Sequence, residues 1–136
     1  MSAEPEKTPA GSSRSFGGPL RLWSPVVLWC ALIFFLSSVP DLNSGFAFDY
    51  PLRKAAHMLE YGILFGLTRR ALLGSFGASR NRAWAAAAFC VFYAMTDEYH
   101  QTLVPGRAGR WSDVGIDSVG VCLAAAASFF GRSDLS

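Results

Sequence analysis

At 136 residues and a formal charge of only +2, the chain is one domain by length and lacks the clustered basic surface that binding to nucleic acid requires. Its composition, 51% hydrophobic and 16% charged with a mean hydropathy of +0.28, excludes an ordinary soluble domain of this size and implies an integral membrane protein. Cys30, Cys90 and Cys122 each sit inside an apolar run without a CxxC pair, so they read as small buried hydrophobes, and a disulfide frame is excluded.

Residues 1–20 are rich in Ser, Gly, Pro and Glu, have almost nothing apolar to bury, and are expected to be a disordered tail ahead of a domain over 21–131. From Leu22 to Val39 every position except Ser24, Pro25, Ser37 and Ser38 is apolar, about the length that crosses a hydrocarbon core of roughly 30 Å. The run is long for the core of a signal peptide and no A-x-A site follows it, so it is expected to be a first span. After a loop from Pro40 to Tyr50, Pro51 is placed to open a second span reaching about Leu73, with Gly62 and Gly66 four apart for close helix approach. A basic loop with Arg69, Arg70, Arg80 and Arg82 leads to a third span, Ala83 to Val104, which begins with W-A-A-A-A-F and is broken by Pro105-Gly106. Ser112 is a candidate N-cap for a fourth span of mostly small residues, Asp113 to Phe130. The expected fold is all-α, a four-helix transmembrane bundle.

Eight of the twelve basic residues fall in the two tails and the middle loop, and four (Arg53, Lys54, Arg107, Arg110) at the other end, which places both termini in the cytoplasm. The unusual polar residues then converge on the outer half of the bundle. At about 100° per residue, Lys54, His57 and Tyr61 share a face flanked by Glu60. Asp97 and Gln101 share another, with Glu98 and His100 on either side, and Asp113 and Asp117 a third, with Gly120 and Ala124. Three such stripes can line one pocket. Carboxylates in a bilayer face inward and find partners, so one reading is a self-satisfied network in which Lys54 and Arg107 pair with Glu98, Asp97 or Asp113. The other is a binding or catalytic pocket. Asp113 also suits the first turn of its helix, whereas Asp117 lies one turn deeper. Tyr61, Tyr99 and Trp111 read as packing or interface aromatics, and the middle-loop arginines as topology determinants. His57-x-x-Glu60 and Glu98-x-His100 could offer metal ligands, but their spacing fits no common zinc motif, and no metal or other cofactor is expected.

F-F-L-S-S-V-P at 34–40, K-x-x-H-x-x-E-Y from Lys54 to Tyr61, D-E-Y-H-Q at 97–101, and P-G-R at 105–107 followed by Asp113 and Asp117 recur in order over residues 22–130. On these motifs the chain resembles the VanZ-like family of small integral membrane proteins, named for a factor linked to teicoplanin resistance. The resemblance implies a multi-pass protein of the bacterial cytoplasmic membrane and cell envelope, with low-level glycopeptide resistance as the founding phenotype. It supplies no catalytic residues; what carries over is the family's polar positions, Lys54, His57, Glu60, Asp97, Glu98, His100, Gln101, Arg107, Asp113 and Asp117.

Two functional classes follow. In the first, the outer pocket binds a lipid head group, a lipid-linked wall precursor or another membrane protein, without chemistry. In the second, the protein is an enzyme acting on a phosphorylated head group. The spacing of Arg107, Asp113 and Asp117 is similar to the Arg/His/Asp block of lipid phosphatases of the phosphatidic acid phosphatase type, but an aspartate stands where that chemistry needs a nucleophilic histidine. A transporter is the third option, since paired acids and histidines in spans can relay protons, but four short spans without an internal repeat weigh against it in a monomer. The expected partners are membrane lipids and such a precursor or protein, with no nucleic acid; self-association stays open.

Overall fold

The structure, a computed structural model, describes residues 17–40 and 49–130. Within them are four helices: α1 Gly17–Ser38, α2 Asp49–Phe76, α3 Asn81–Thr102 and α4 Trp111–Phe130. No strand occurs among the described residues, and the all-α four-helix bundle expected from the sequence is the fold. The tail expected over 1–20 lies mostly outside the described residues, but Gly17–Leu20 already belong to α1. Pro51 is the third residue of α2 rather than its first; within the opening turn its missing N–H still costs nothing. α4 begins at Trp111, so Ser112 lies inside the helix and is not its N-cap, and Asp113 N–H donates to the Arg110 carbonyl.

α2 is the hub. It packs on the other three helices, α3 also touches α1 and α4, and α1 and α4 do not meet. The faces that meet follow from the sequence at helical spacing. On α3 the buried positions are Ala83, Ala86, Cys90 and Ala94, then Asp97, Glu98 and Gln101, a stripe at intervals of three and four. Short side chains over its first half let α2 come close with Tyr61, Leu64 and Phe65, all buried. The closest approach is between α2 and α4. A Cβ on Gly120 would run into the Met58 carbonyl, and one on Gly62 would meet the Gly120 carbonyl at 3.4 Å. Gly66, the other half of the expected glycine pair, faces open space, so the small-residue contact joins Gly62 to Gly120 and not Gly62 to Gly66.

Polar ties hold α1 in place. Trp29 Nε1–H donates to the Glu60 carbonyl at 2.9 Å, and the Tyr93 hydroxyl to the Cys30 carbonyl at 2.7 Å. Pro25, inside α1, removes the N–H that would have served the Arg21 carbonyl four residues back, and Arg70 Nη2 serves it instead at 3.2 Å. Arg70 is therefore a structural partner of α1 besides any part it has in orientation. Of the cysteines, Cys90 is buried, Cys30 half-buried and Cys122 exposed, so the expectation of three buried thiols fails at Cys122. Its helix packs through the Asp117–Gly120–Val121 face and turns Cys122 away.

Among the described residues two helices are long and apolar enough to cross a membrane, Gly18–Ser38 and Trp111–Phe130, with mean hydropathies of 1.8 and 1.5. α2 and α3, expected as spans too, are long enough but not apolar enough, because each carries several charged and polar side chains. Both nevertheless present large apolar side chains outward, among them Leu59, Ile63, Phe89, Phe92 and Met95.

Candidate functional site

The polar residues gather at the end of the bundle where α1 and α3 finish and α2 and α4 begin. Their partners divide them into three groups. The first is a tie. Lys54 Nζ forms an ion pair with Asp113 Oδ2, joining the second turn of α2 to the first turn of α4, and both side chains are 15% exposed. Asp113 also sits where the α4 dipole favours a negative charge.

The second group is a carboxylate pair on α3. Asp97 and Glu98 are both buried, so neither helix phase excludes the other from the interior. Gln101 spans them, with Nε2 at 3.1 Å from Asp97 Oδ2 and 3.4 Å from Glu98 Oε1. The Ser37 hydroxyl, from α1, donates to Asp97 Oδ1. Glu98 Oε2 accepts the backbone N–H of Arg110 at 2.8 Å, which pins the α3–α4 connection onto α3. That connection lies so close that a Cβ on Gly109 would strike the Glu98 carbonyl. Gly106, with φ of 78°, makes the preceding turn in a conformation that side chains resist. Each oxygen of this pair has a donor, which meets the condition for burying charge.

The third group does not. Asp117 is 1% exposed and neither of its carboxylate oxygens has a hydrogen-bond partner. His57 Nδ1 lies 3.5 Å from its Oδ1, itself buried and without a hydrogen bond. His57, Glu98 and Asp117, from three helices, offer ligand atoms that all lie within 4.8 Å of one another.

Beside this cluster a cleft of about 150 Å³ opens between α1 and α2, lined by Ser37, Arg53, His57, Glu60 and Arg107 over an apolar floor of Ile33, Leu36 and Ala56. Arg107 closes one end. Its Nε donates to the Val39 carbonyl at 3.0 Å and its Nη2 to the Leu36 carbonyl at 2.7 Å, which caps the end of α1. Burial, followed by the neighbouring Arg53 guanidinium, holds Arg107 below its usual range, while Asp97, Glu98 and Glu60 oppose that.

The three stripes expected from the sequence therefore build a buried cluster and a separate cleft, with His57 shared between them, in place of one common pocket. Lys54, His57, Asp97, Glu98, Gln101, Asp113 and Asp117 come together, while Glu60 and Arg107 stand on the cleft. His100 lies apart from both, stacked on Phe34 at 4.4 Å and 3.0 Å from Ser38 Oγ. Because Ser38 donates its proton to the Phe34 carbonyl, it accepts from His100 Nε2–H. Sequence spacing overlooked Ser37, Arg53 and the Arg110 N–H. Ser37 and Ser38 stood in the F-F-L-S-S-V-P motif, and two hydroxyls ending an apolar run were the signal for a fourth wall.

A model of the VanZ/LLP1 family matches residues 22–131. No curated protein and no solved structure matches the chain.

Proposed function

The chain belongs to the VanZ/LLP1 family, and from that premise we propose that it acts in the bacterial cell envelope as a non-enzymatic factor, its polar end holding an anionic lipid head group or the phosphate of a lipid-linked wall precursor. The family and the two apolar helices mark a membrane protein. In this reading all four helices cross the cytoplasmic membrane with both termini inside. The apolar side chains that α2 and α3 turn outward support it, since lipid is the solvent that such a surface fits. The polar end then faces outward.

The observation that carries the proposal is the cleft. Two guanidinium-bearing side chains, Arg53 and Arg107, and one imidazole, His57, stand around a space the size of a small head group. Arginine's planar donors suit phosphate, and the apolar floor suits the start of an acyl or prenyl chain. Occupying a head group there would change how a bulky glycopeptide reaches its target at the membrane surface, and that is the route by which a protein without hydrolytic chemistry would give low-level teicoplanin resistance. An enzymatic role on the same head group would draw on His57, the one imidazole lining the cleft, as nucleophile or acid–base group, and turnover of a bound head group by the purified wild type would favour that reading.

Lipid retention by the purified protein tests this. In native mass spectrometry the wild type should retain phosphatidic acid over phosphatidylcholine, and His57→Ala and Arg107→Gln should each weaken that retention about tenfold, the worth of one charge-assisted contact. Equal retention of the two lipids, or variants that match wild type, would contradict it.

A further inference from the structure

Behind the cleft, the geometry points to a divalent transition-metal site formed by His57 Nδ1, a Glu98 oxygen and an Asp117 oxygen. The inference is independent of whether the cleft takes a head group. Three observations support it, and the first is the convergence itself. One ligand atom from each of α2, α3 and α4 falls within 4.8 Å of the other two, and His57 Nδ1 is 3.5 Å from Asp117 Oδ1. Donors at about 2.0–2.2 Å from an ion sit about 3–4 Å from each other, so small side-chain rotations close the remaining gap.

The second is the state of Asp117. A carboxylate that is 1% exposed with both oxygens lacking a hydrogen-bond donor is costly, and every other buried carboxylate named above has found a donor or a cation. Lys54, the nearest ammonium, is engaged by Asp113. A cation between Asp117, Glu98 and His57 satisfies the carboxylate oxygens and the imidazole nitrogen at once. The third is the support around Glu98. Arg110 N–H on Oε2 and Gln101 on Oε1 fix its orientation while leaving lone pairs for a ligand bond, the arrangement that outer partners give to metal-binding carboxylates.

One imidazole and two carboxylates form a donor set for Zn²⁺, Mn²⁺ or Fe²⁺ rather than for Mg²⁺ or Ca²⁺, which favour oxygen alone. Three protein ligands leave coordination positions open. The sequence motifs His57-x-x-Glu60 and Glu98-x-His100 paired the wrong residues: Glu60 lines the cleft, the His100 side chain packs against Phe34 and Ser38 of α1, and the third ligand comes from α4.

The test uses full-length protein purified through a tag without histidine, stripped with a chelator and dialysed against Zn²⁺ or Mn²⁺. Wild type and Glu60→Gln should each take up one equivalent, and Asp117→Asn should bind about 100-fold more weakly. Less than one equivalent on wild type, or Asp117→Asn binding like wild type, overturns the site. Should Asp117→Asn not fold, the Mn²⁺ electron spin echo spectrum of wild type decides. The chain has two histidines, so one directly bound imidazole nitrogen that survives His100→Ala and disappears in His57→Gln supports the assignment. A spectrum without a bound nitrogen, or one that persists in His57→Gln, refutes it.

Discussion

One face of α3 has two halves, and both are buried. Ala83, Ala86, Cys90 and Ala94 make the first; Asp97, Glu98 and Gln101 make the second. At the alanine half nothing needs a partner, and the side chains matter only by being short enough for α2 to come close. At the carboxylate half every group needs a specific donor, and these come from α1 (Ser37), from the α3–α4 connection (Arg110 N–H) and from α3 itself (Gln101). The apolar half could be rebuilt from many sequences of the right volume, whereas each residue of the polar half depends on its neighbours. A bundle that needed only register would not bury three acids, Asp97, Glu98 and Asp117, at one end, and this is why that end is read as the working one.

Substitutions can break or sharpen this contrast, and the largest effect is expected at the ion pair. Lys54→Ala strands the Asp113 carboxylate and should lower stability by about 3–5 kcal/mol, whereas the double change Lys54→Met with Asp113→Leu should recover most of it. Thermal unfolding in detergent reads both; if the double variant is as unstable as the single one, the pair is not the source of the loss. Next comes Gly120→Ala, where the new Cβ meets the Met58 backbone and α2 must move away from α4, at a cost of about 1–3 kcal/mol. Arg107→Ala should cost about 1–2 kcal/mol by uncapping the end of α1, and amide exchange at Leu36 to Val39 should rise with it. The smallest change is expected at Gly66, which faces open space. Gly66→Ala should gain up to about 1 kcal/mol from helix propensity alone, and a loss there would mean that α2 has a neighbour on that side.

Much of this was legible in the sequence. The four helices, the stripe spacing and the gathering of polar groups at one end follow from apolar periodicity and from the cost of placing charge in an apolar segment. The start of α4 shifted by a few residues because it is set by a local bond, Asp113 N–H back to the Arg110 carbonyl, and by a tertiary contact, Gly109 lying against Glu98. The division into a satisfied carboxylate pair, an unsatisfied Asp117 and a separate cleft was not legible. Spacing shows which residues share a face of one helix, but not which face a second helix presents to it. The same limit hid Ser37, whose importance comes from sitting opposite Asp97 across sixty residues of chain.

The central question is whether the polar end works or merely holds the helices. The measurement is teicoplanin susceptibility, with vancomycin as control, in a susceptible host carrying wild type, His57→Ala or Glu98→Gln at matched membrane levels. Protection by wild type against teicoplanin, lost in both variants, is the predicted result; variants that protect as well as wild type, or a wild type that gives no protection, would contradict it.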